Sequence, residues 1–347
     1  MLLNLDTLPT RRDEAWKWTD VRGRVEAVEP KGLEHKGVCL LRVPDGLKVQ
    51  LGESISSNEQ PMSILAKQHN YERYIIDVPA GFRSDVPIEI DEIRLGHVLV
   101  KIRLGKNAVV NLVENFYGEE NGFSNYDIMI NLQQGAKLNR VIVHEDPISH
   151  IRNVTSHITA WANTSYIQHS LSFGGSLSRL ETRLAGMGKN IDAVINGAYL
   201  LRDNHHCNMT SYIDLAVPDR TIRQAVKGVV TDKARGVFQG KFHVRKPAQH
   251  TDAEMRHDAL MLSDSCEIRS KPELEIYADD VACAHGNTIG QLDENALFYM
   301  RQRGIPAAEA RALLTEAFVA DVFDDMADEA LKDSLLGKIR DWLKETK

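Results

Sequence analysis

The hydrophobic positions of this chain change their period along its length. From residue 73 onward they fall in short runs that alternate with polar residues or are rich in β-branched side chains. Val98-Leu99-Val100-Lys101-Ile102-Arg103-Leu104 is one such run, and 109–113, 138–143, 191–201 and 237–244 are others. A period of two, or a short β-branched run bounded by turn residues, predicts strands. The turns are polar or glycine-bearing: Gly105-Lys106-Asn107, Gln134-Gly135-Ala136, Ala162-Asn163-Thr164, Gly186-Met187-Gly188, Thr231-Asp232-Lys233 and Ser263-Asp264-Ser265. Their recurrence predicts a repeat architecture, with one long gap before Asp232. No helical pattern separates the strands, which argues against βαβ winding. A sandwich, a large barrel and a β-solenoid remain. The length of the zone favours the solenoid, in which each rung buries its inner side chains against the next.

After residue 290 the period becomes helical. Asp293 is placed as an N-cap, Leu297-Phe298-Tyr299-Met300 forms an apolar body, and Gly304 ends it. Pro306 suits the start of a second helix. From there Ala310, Leu313, Leu314, Ala317, Phe318, Val322, Phe323 and Met326 recur at helical spacing. A third amphipathic segment covers 328–343. These helices are expected to cap the open end of the solenoid. The stripe Leu313, Leu314, Phe318 and Val322 is also a candidate partner-binding surface, and amphipathicity alone leaves both roles open. Before residue 73 the chain reads as short apolar runs punctuated by Gly and Pro, with a short helix over 11–20. The expected division is therefore an N-terminal region 1–72, a β core 73–290 and a helical domain 291–347.

Composition narrows the function. Asp and Glu number 49 against 42 Lys and Arg, a net charge of -7. That balance argues against a general nucleic-acid binder, which needs a clustered positive surface. No apolar run is long enough to span a bilayer, and residues 1–16 hold no signal-peptide core, so a cytoplasmic protein is expected. Cys39, Cys207, Cys266 and Cys283 form no CxxC pair and are expected as thiols.

Several enzyme signatures are missing: there is no GxxxxGK[ST], GxSxG, HExxH, or GxGxxG opening a helix. Cys283-Ala284-His285 is the leading chemical candidate. On a strand, residues i and i+2 face the same side, so thiolate and imidazole could meet one iron or zinc ion. Two donors make half a site, and spacing alone favours a structural cysteine beside a surface histidine at the end of the last strand. His205 and Cys207 share a face in the same way, but a polar rung edge explains them. His243, His250 and His257 are evenly spaced, yet Lys246-Pro247 breaks any helix between them. Asp279-Asp280 could be the acid–base pair of a solenoid enzyme acting on polysaccharide, or simply a turn before Val281.

The stretch Lys271-Pro-Glu-Leu-Glu-Ile-Tyr-Ala-Asp-Asp-Val-Ala-Cys-Ala-His-Gly286, continuing to Ile305, closely resembles the signature of the SufB/SufD family of iron–sulfur cluster assembly proteins. The Cys-x-His-Gly form is similar to the SufD branch. Ala308 to Phe318 resembles the family's C-terminal helix, and Lys227-Gly228-Val229, Leu260 to Asp264 and Glu14-Ala-Trp-Lys-Trp-Thr19 match further landmarks. The resemblance implies a right-handed parallel β-helix between helical ends. It implies a non-enzymatic scaffold that pairs with SufB through the β-helices and docks the ATPase SufC through the C-terminal helices. A homodimer is possible when the chain is alone. His285 and Cys283 would then help bind transient iron or nascent iron–sulfur cluster shared with SufB, with no permanent cofactor. Two departures stand out. The N-terminal region is short for the family, and Asp214, Leu215, Asp219 and Ile222 stand where members often carry Asp-His…His…Ser.

Overall fold

A computed structural model describes residues 8–28, 39–52, 60–68, 72–92 and 96–345. Strands alternate between two nine-stranded sheets. The first sheet runs β1 (Cys39–Arg42), β4 (Ile88–Glu92), β6 (Val109–Phe116), β8 (Lys137–His144), β10 (Ser165–Ser172), β12 (Ile191–Leu201), β14 (Arg220–Val230), β16 (Thr251–Met261), β18 (Val281–Gly290). The second runs β2 (Val49–Leu51), β3 (Glu72–Val78), β5 (Gly96–Leu104), β7 (Phe123–Leu132), β9 (Ile151–Ala160), β11 (Leu177–Gly186), β13 (His206–Leu215), β15 (Arg235–Val244), β17 (Glu267–Ile276). From β3 onward neighbours in each sheet pair in parallel, so every coil adds one strand to each sheet. The fold is a β-solenoid, as the strand rhythm predicts. At the N-terminal end β1 and β2 pair antiparallel with β4 and β3.

Side-chain alternation explains the packing. Val110, Leu138, Tyr166, Ala193, Ile222 and Ala253 all point into one core shared by both sheets. One corner of each coil needs a left-handed residue: Asn107, Gly135, Asn163, Asn190, Asp219 and His250 have φ between 54° and 73°. Each passes its N–H to a carbonyl of the coil above, as from Gly135 to Ala162 at 3.0 Å. Asn, Asp and Gly tolerate that conformation, which is why they mark the turns. The coil length is read from the strand register, 28 residues where Asn125 pairs with Asn153 and 31 where Arg220 pairs with Thr251.

The termini depart from expectation. The segment 11–20 holds a single 3-10 turn, Glu14–Trp16, and helix α1 (Val21–Val28) begins after it. Asp20 starts that helix, its carboxylate accepting from the Gly23 N–H at 3.0 Å. A second helix, α2 (Pro61–Gln68), lies in a stretch without helical period. Helices this short depend on tertiary packing. Here Trp16, Val21, Val25, Met62 and Leu65 cover Phe123, Ile151 and Leu177 on the outer face of the second sheet.

The C-terminal helices α3 (Glu294–Gln302), α4 (Ala307–Ala320) and α5 (Glu329–Glu345) form where predicted, with Asp293 accepting from the Asn295 N–H at 2.8 Å. They do not cap the end of the solenoid. They lie along its side, where Val319, Val322, Phe323, Met326, Leu335, Ile339 and Trp342 cover Val141, Val143, Leu171, Leu200 and Val229 on the outer face of the first sheet. The outer apolar face of those strands would otherwise meet water, and burying it draws the helices. No helix of the described residues is long and apolar enough to cross a membrane. Cys207, Cys266 and Cys283 are free thiols; the side chain of Cys39 lies outside the described residues.

The core also holds polar side chains. Burial pushes His144 down to about 3 and His257 down to about 4, with Arg152 adding to the effect at His144. Both are therefore neutral in the fold while the unfolded chain titrates near the usual histidine value. Stability is complete above about pH 6.5 and is lost as pH falls through that value. Denaturant unfolding at pH 7.5 and pH 5 should differ by about 2 kcal/mol for each of these two histidines. His144→Gln, which can keep the hydrogen bond to Ser178, should flatten that pH dependence.

Candidate functional site at the end of the solenoid

The last coil is β17 and β18, and each is the outer strand of its sheet. Among the described residues β18 pairs only with β16, placing Cys283 over Ala253 and His285 over Met255. Ala253 and Met255 point into the core, so Cys283 and His285 share the inward side of a coil that none of the described residues covers. Cys283 is half-buried and packs on the core, while His285 is exposed. Burial pushes the Cys283 thiol up, with a backbone hydrogen bond at Ala253 pulling the other way. The thiol is protonated at neutral pH and must lose that proton to bind a metal.

Among the described residues, no three His, Cys, Asp or Glu side chains converge in a way that could hold a metal ion. Cys283 and His285 are two soft-to-borderline donors beside an open strand edge. That chemistry suits iron or a thiolate-bound cluster only when further ligands arrive from outside the chain.

The other sequence candidates separate. Cys207 is buried in the core, its thiol pushed up to about 12 by burial, while His205 sits in the preceding turn. His243 faces out beside Tyr212, His250 occupies a turn, and His257 is buried. Asp279 and Asp280 lie in the turn before β18, and Asp280 meets His250 at 3.0 Å with both side chains exposed. This is turn chemistry, without the enclosed cleft an acid–base pair would use. Asp214 is committed to Arg245 at 2.6 and 2.8 Å, and Ile222 is core.

The stripe over α4 and the 3-10 turn Asp321–Phe323 that follows it is divided. Leu313 is 43% exposed, Leu314 and Phe318 are half-buried, and Val322 is 2% exposed against the first sheet. Val322 therefore holds the helical layer to the solenoid and is not on the outer surface. Phe298 and Tyr299 on α3 are exposed as well, which the helical pattern alone does not distinguish.

A family model for the SUF system FeS cluster assembly SufBD core domain matches residues 91–318, which span the solenoid from β4 to α4. The chain belongs to the SufBD family. Among curated SufBD relatives, the iron–sulfur cluster assembly protein SufD of Escherichia coli K12 is 28% identical, over 96% of this chain and 88% of that protein. The chloroplastic protein ABCI7 of Arabidopsis thaliana is 26% identical, over 77% of this chain and 59% of its own length. A SufBD family protein of Mycobacterium tuberculosis is 24% identical, over 98% and 90%. Membership places this chain in iron–sulfur cluster assembly. Within the SufBD core, sequence reasoning left two groups without a role. One is Lys227, and the other is the set of side chains that hold β18 in place.

Proposed function

We propose that this chain is a non-enzymatic scaffold that takes the SufD position beside SufB and SufC in cytoplasmic iron–sulfur cluster assembly. The observation that carries the reading is the uncovered last coil, with Cys283 and His285 on its edge strand. An edge strand presents unpaired N–H and C=O groups that another strand can pair with. A SufB solenoid docked edge to edge would extend the sheets and bring the missing ligands to His285 and Cys283. Iron or nascent cluster is then cargo held between two chains. The free thiols suit a reducing compartment.

The helical layer would dock SufC through its outer surface, where Leu313 on α4 and Phe298 and Tyr299 on α3 are exposed. Phe318 and Leu314 would support that surface from below, and Val322 would anchor it. Co-expression with tagged SufB and SufC tests the assembly: both partners should copurify with the chain, and failure to recover SufB would overturn the reading. Leu313→Asp should reduce SufC capture about tenfold, the loss expected when an interface anchor is removed. Because Leu313 is exposed, thermal stability should stay unchanged. Size measurement of the chain alone and with SufB separates a homodimer, which the open edge permits, from the heterodimer.

A further inference from the structure

We propose that the Lys227-Gly228 pair on β14 is the hub of a two-armed tether that positions β18 and links it to the helical layer. This deepens the scaffold reading and rests on it for its functional meaning, but the tether itself belongs to the chain alone.

The outer arm begins at Lys227. Its side chain is nearly buried, 11% exposed, on the outer face of the first sheet. Nζ lies 3.0 Å from Asp321, 3.4 Å from Asp258 and 4.5 Å from the centre of the Phe318 ring. Phe318 and Asp321 belong to α4 and the 3-10 turn after it, so the ammonium joins the helical layer to β16. Asp258, 3% exposed, accepts in turn from Thr288 on β18 and from Arg256. A buried ammonium is costly unless its charge is met, and two carboxylates with an aromatic face meet it here.

The inner arm depends on Gly228. A Cβ there would overlap the Tyr199 ring, so glycine leaves the space that Tyr199 occupies. The Tyr199 hydroxyl lies 2.9 Å from His257 Nε2, and His257 Nδ1 lies 2.8 Å from Asn287 Oδ1 on β18. Asn287 Oδ1 accepts, so His257 carries its proton on Nδ1 and the Tyr199 hydroxyl donates to Nε2. Phe238 stacks on the imidazole at 4.8 Å and 6°, fixing the ring plane.

Both arms end on adjacent residues, Asn287 and Thr288, two and three positions beyond His285. They grip the strand from its two faces. The ladder to β16 fixes register, and the arms add side-chain tethers at the end of the strand that carries the candidate ligands. A change at the outer helical surface that moves Asp321 or Phe318 is thereby felt at β18.

The test is hydrogen exchange on the chain alone, with Asp321→Asn as the leading variant because the Asp321 side chain is exposed and the change keeps its size. Exchange in 281–290 should quicken about threefold to tenfold while β14 and β16 keep their protection. Alkylation of Cys283 should quicken in parallel. Lys227→Met should give a larger effect at the same residues, and Lys227→Arg should restore much of it. A response to Asp321→Asn confined to α4 and α5, with β18 unchanged, would overturn the proposal. Because no partner or iron is present in this measurement, its failure is separate from failure of the scaffold reading, which copurification with SufB decides.

Discussion

A complex carrying His285→Ala is expected to assemble with SufB and SufC at wild-type stoichiometry but to build no iron–sulfur cluster. His285 is exposed on an edge strand and has no core packing to lose, so the thermal transition of the chain should not move. Cluster absorbance after reconstitution should fall at least about tenfold, the loss that even an outer partner of a metal ligand causes. Cys283→Ala provides the contrast. Burial keeps that thiol protonated, so cluster build-up should be weaker in the wild type at low pH, where the proton is harder to release. If Cys283 is a ligand, the alanine variant loses this pH dependence along with much of the yield; if it only packs against the core, the pH dependence survives. Normal cluster yield from a complex with His285→Ala would remove the central claim.

The fold was legible because solenoid strands keep their period. On β5, Val98, Val100, Ile102 and Leu104 point inward while Lys101 and Arg103 point out, and that alternation is visible without coordinates. The placement of the helices was less so. Yet Val141-Ile142-Val143 and Tyr199-Leu200-Leu201 are apolar on both faces, and a strand apolar on both faces is sandwiched between two layers. Those runs were the signal that something covers the first sheet from the side. Capping the coil end was the simpler expectation, and it gave too little weight to that outer apolar band. Val322 of the stripe faces the first sheet, which the sequence does not reveal, since an apolar stripe does not state which of two surfaces it meets. Cys283 and His285 could be assigned to one face from spacing, but their position on the last, uncovered coil required the topology. Lys227 could not be understood locally at all. Its partners Asp258 and Asp321 are distant in sequence, and only the stacking of coils brings them together.

Arg140 carries the largest expected effect on stability. It is fully buried inside the solenoid, pointing inward from β8, and it donates to both oxygens of Glu114 at 2.6 and 3.0 Å. Glu114 is equally buried on β6, and Arg140 also donates to Ser156 at 2.8 Å. Arg140→Met leaves a carboxylate in the core without its cation, which costs about 3–5 kcal/mol. That is a large share of the stability of a typical domain, and the variant should unfold at markedly lower denaturant. The double variant Glu114→Leu with Arg140→Met should recover most of the loss, because an apolar pair of similar volume removes the desolvation cost of both charges. The pH dependence identifies the cause. Burial already pushes the Glu114 carboxyl up, and Arg140 pulls it back. Without Arg140 the folded value rises further above the unfolded one, so the penalty is full at neutral pH and shrinks as pH falls toward the unfolded carboxyl value. The gap between wild type and Arg140→Met should therefore narrow from pH 7.5 to pH 5, the reverse of the trend that His144 and His257 impose on both proteins. A gap that stays constant with pH would mean that Arg140 stabilises the coil by filling space, with its charge contributing little.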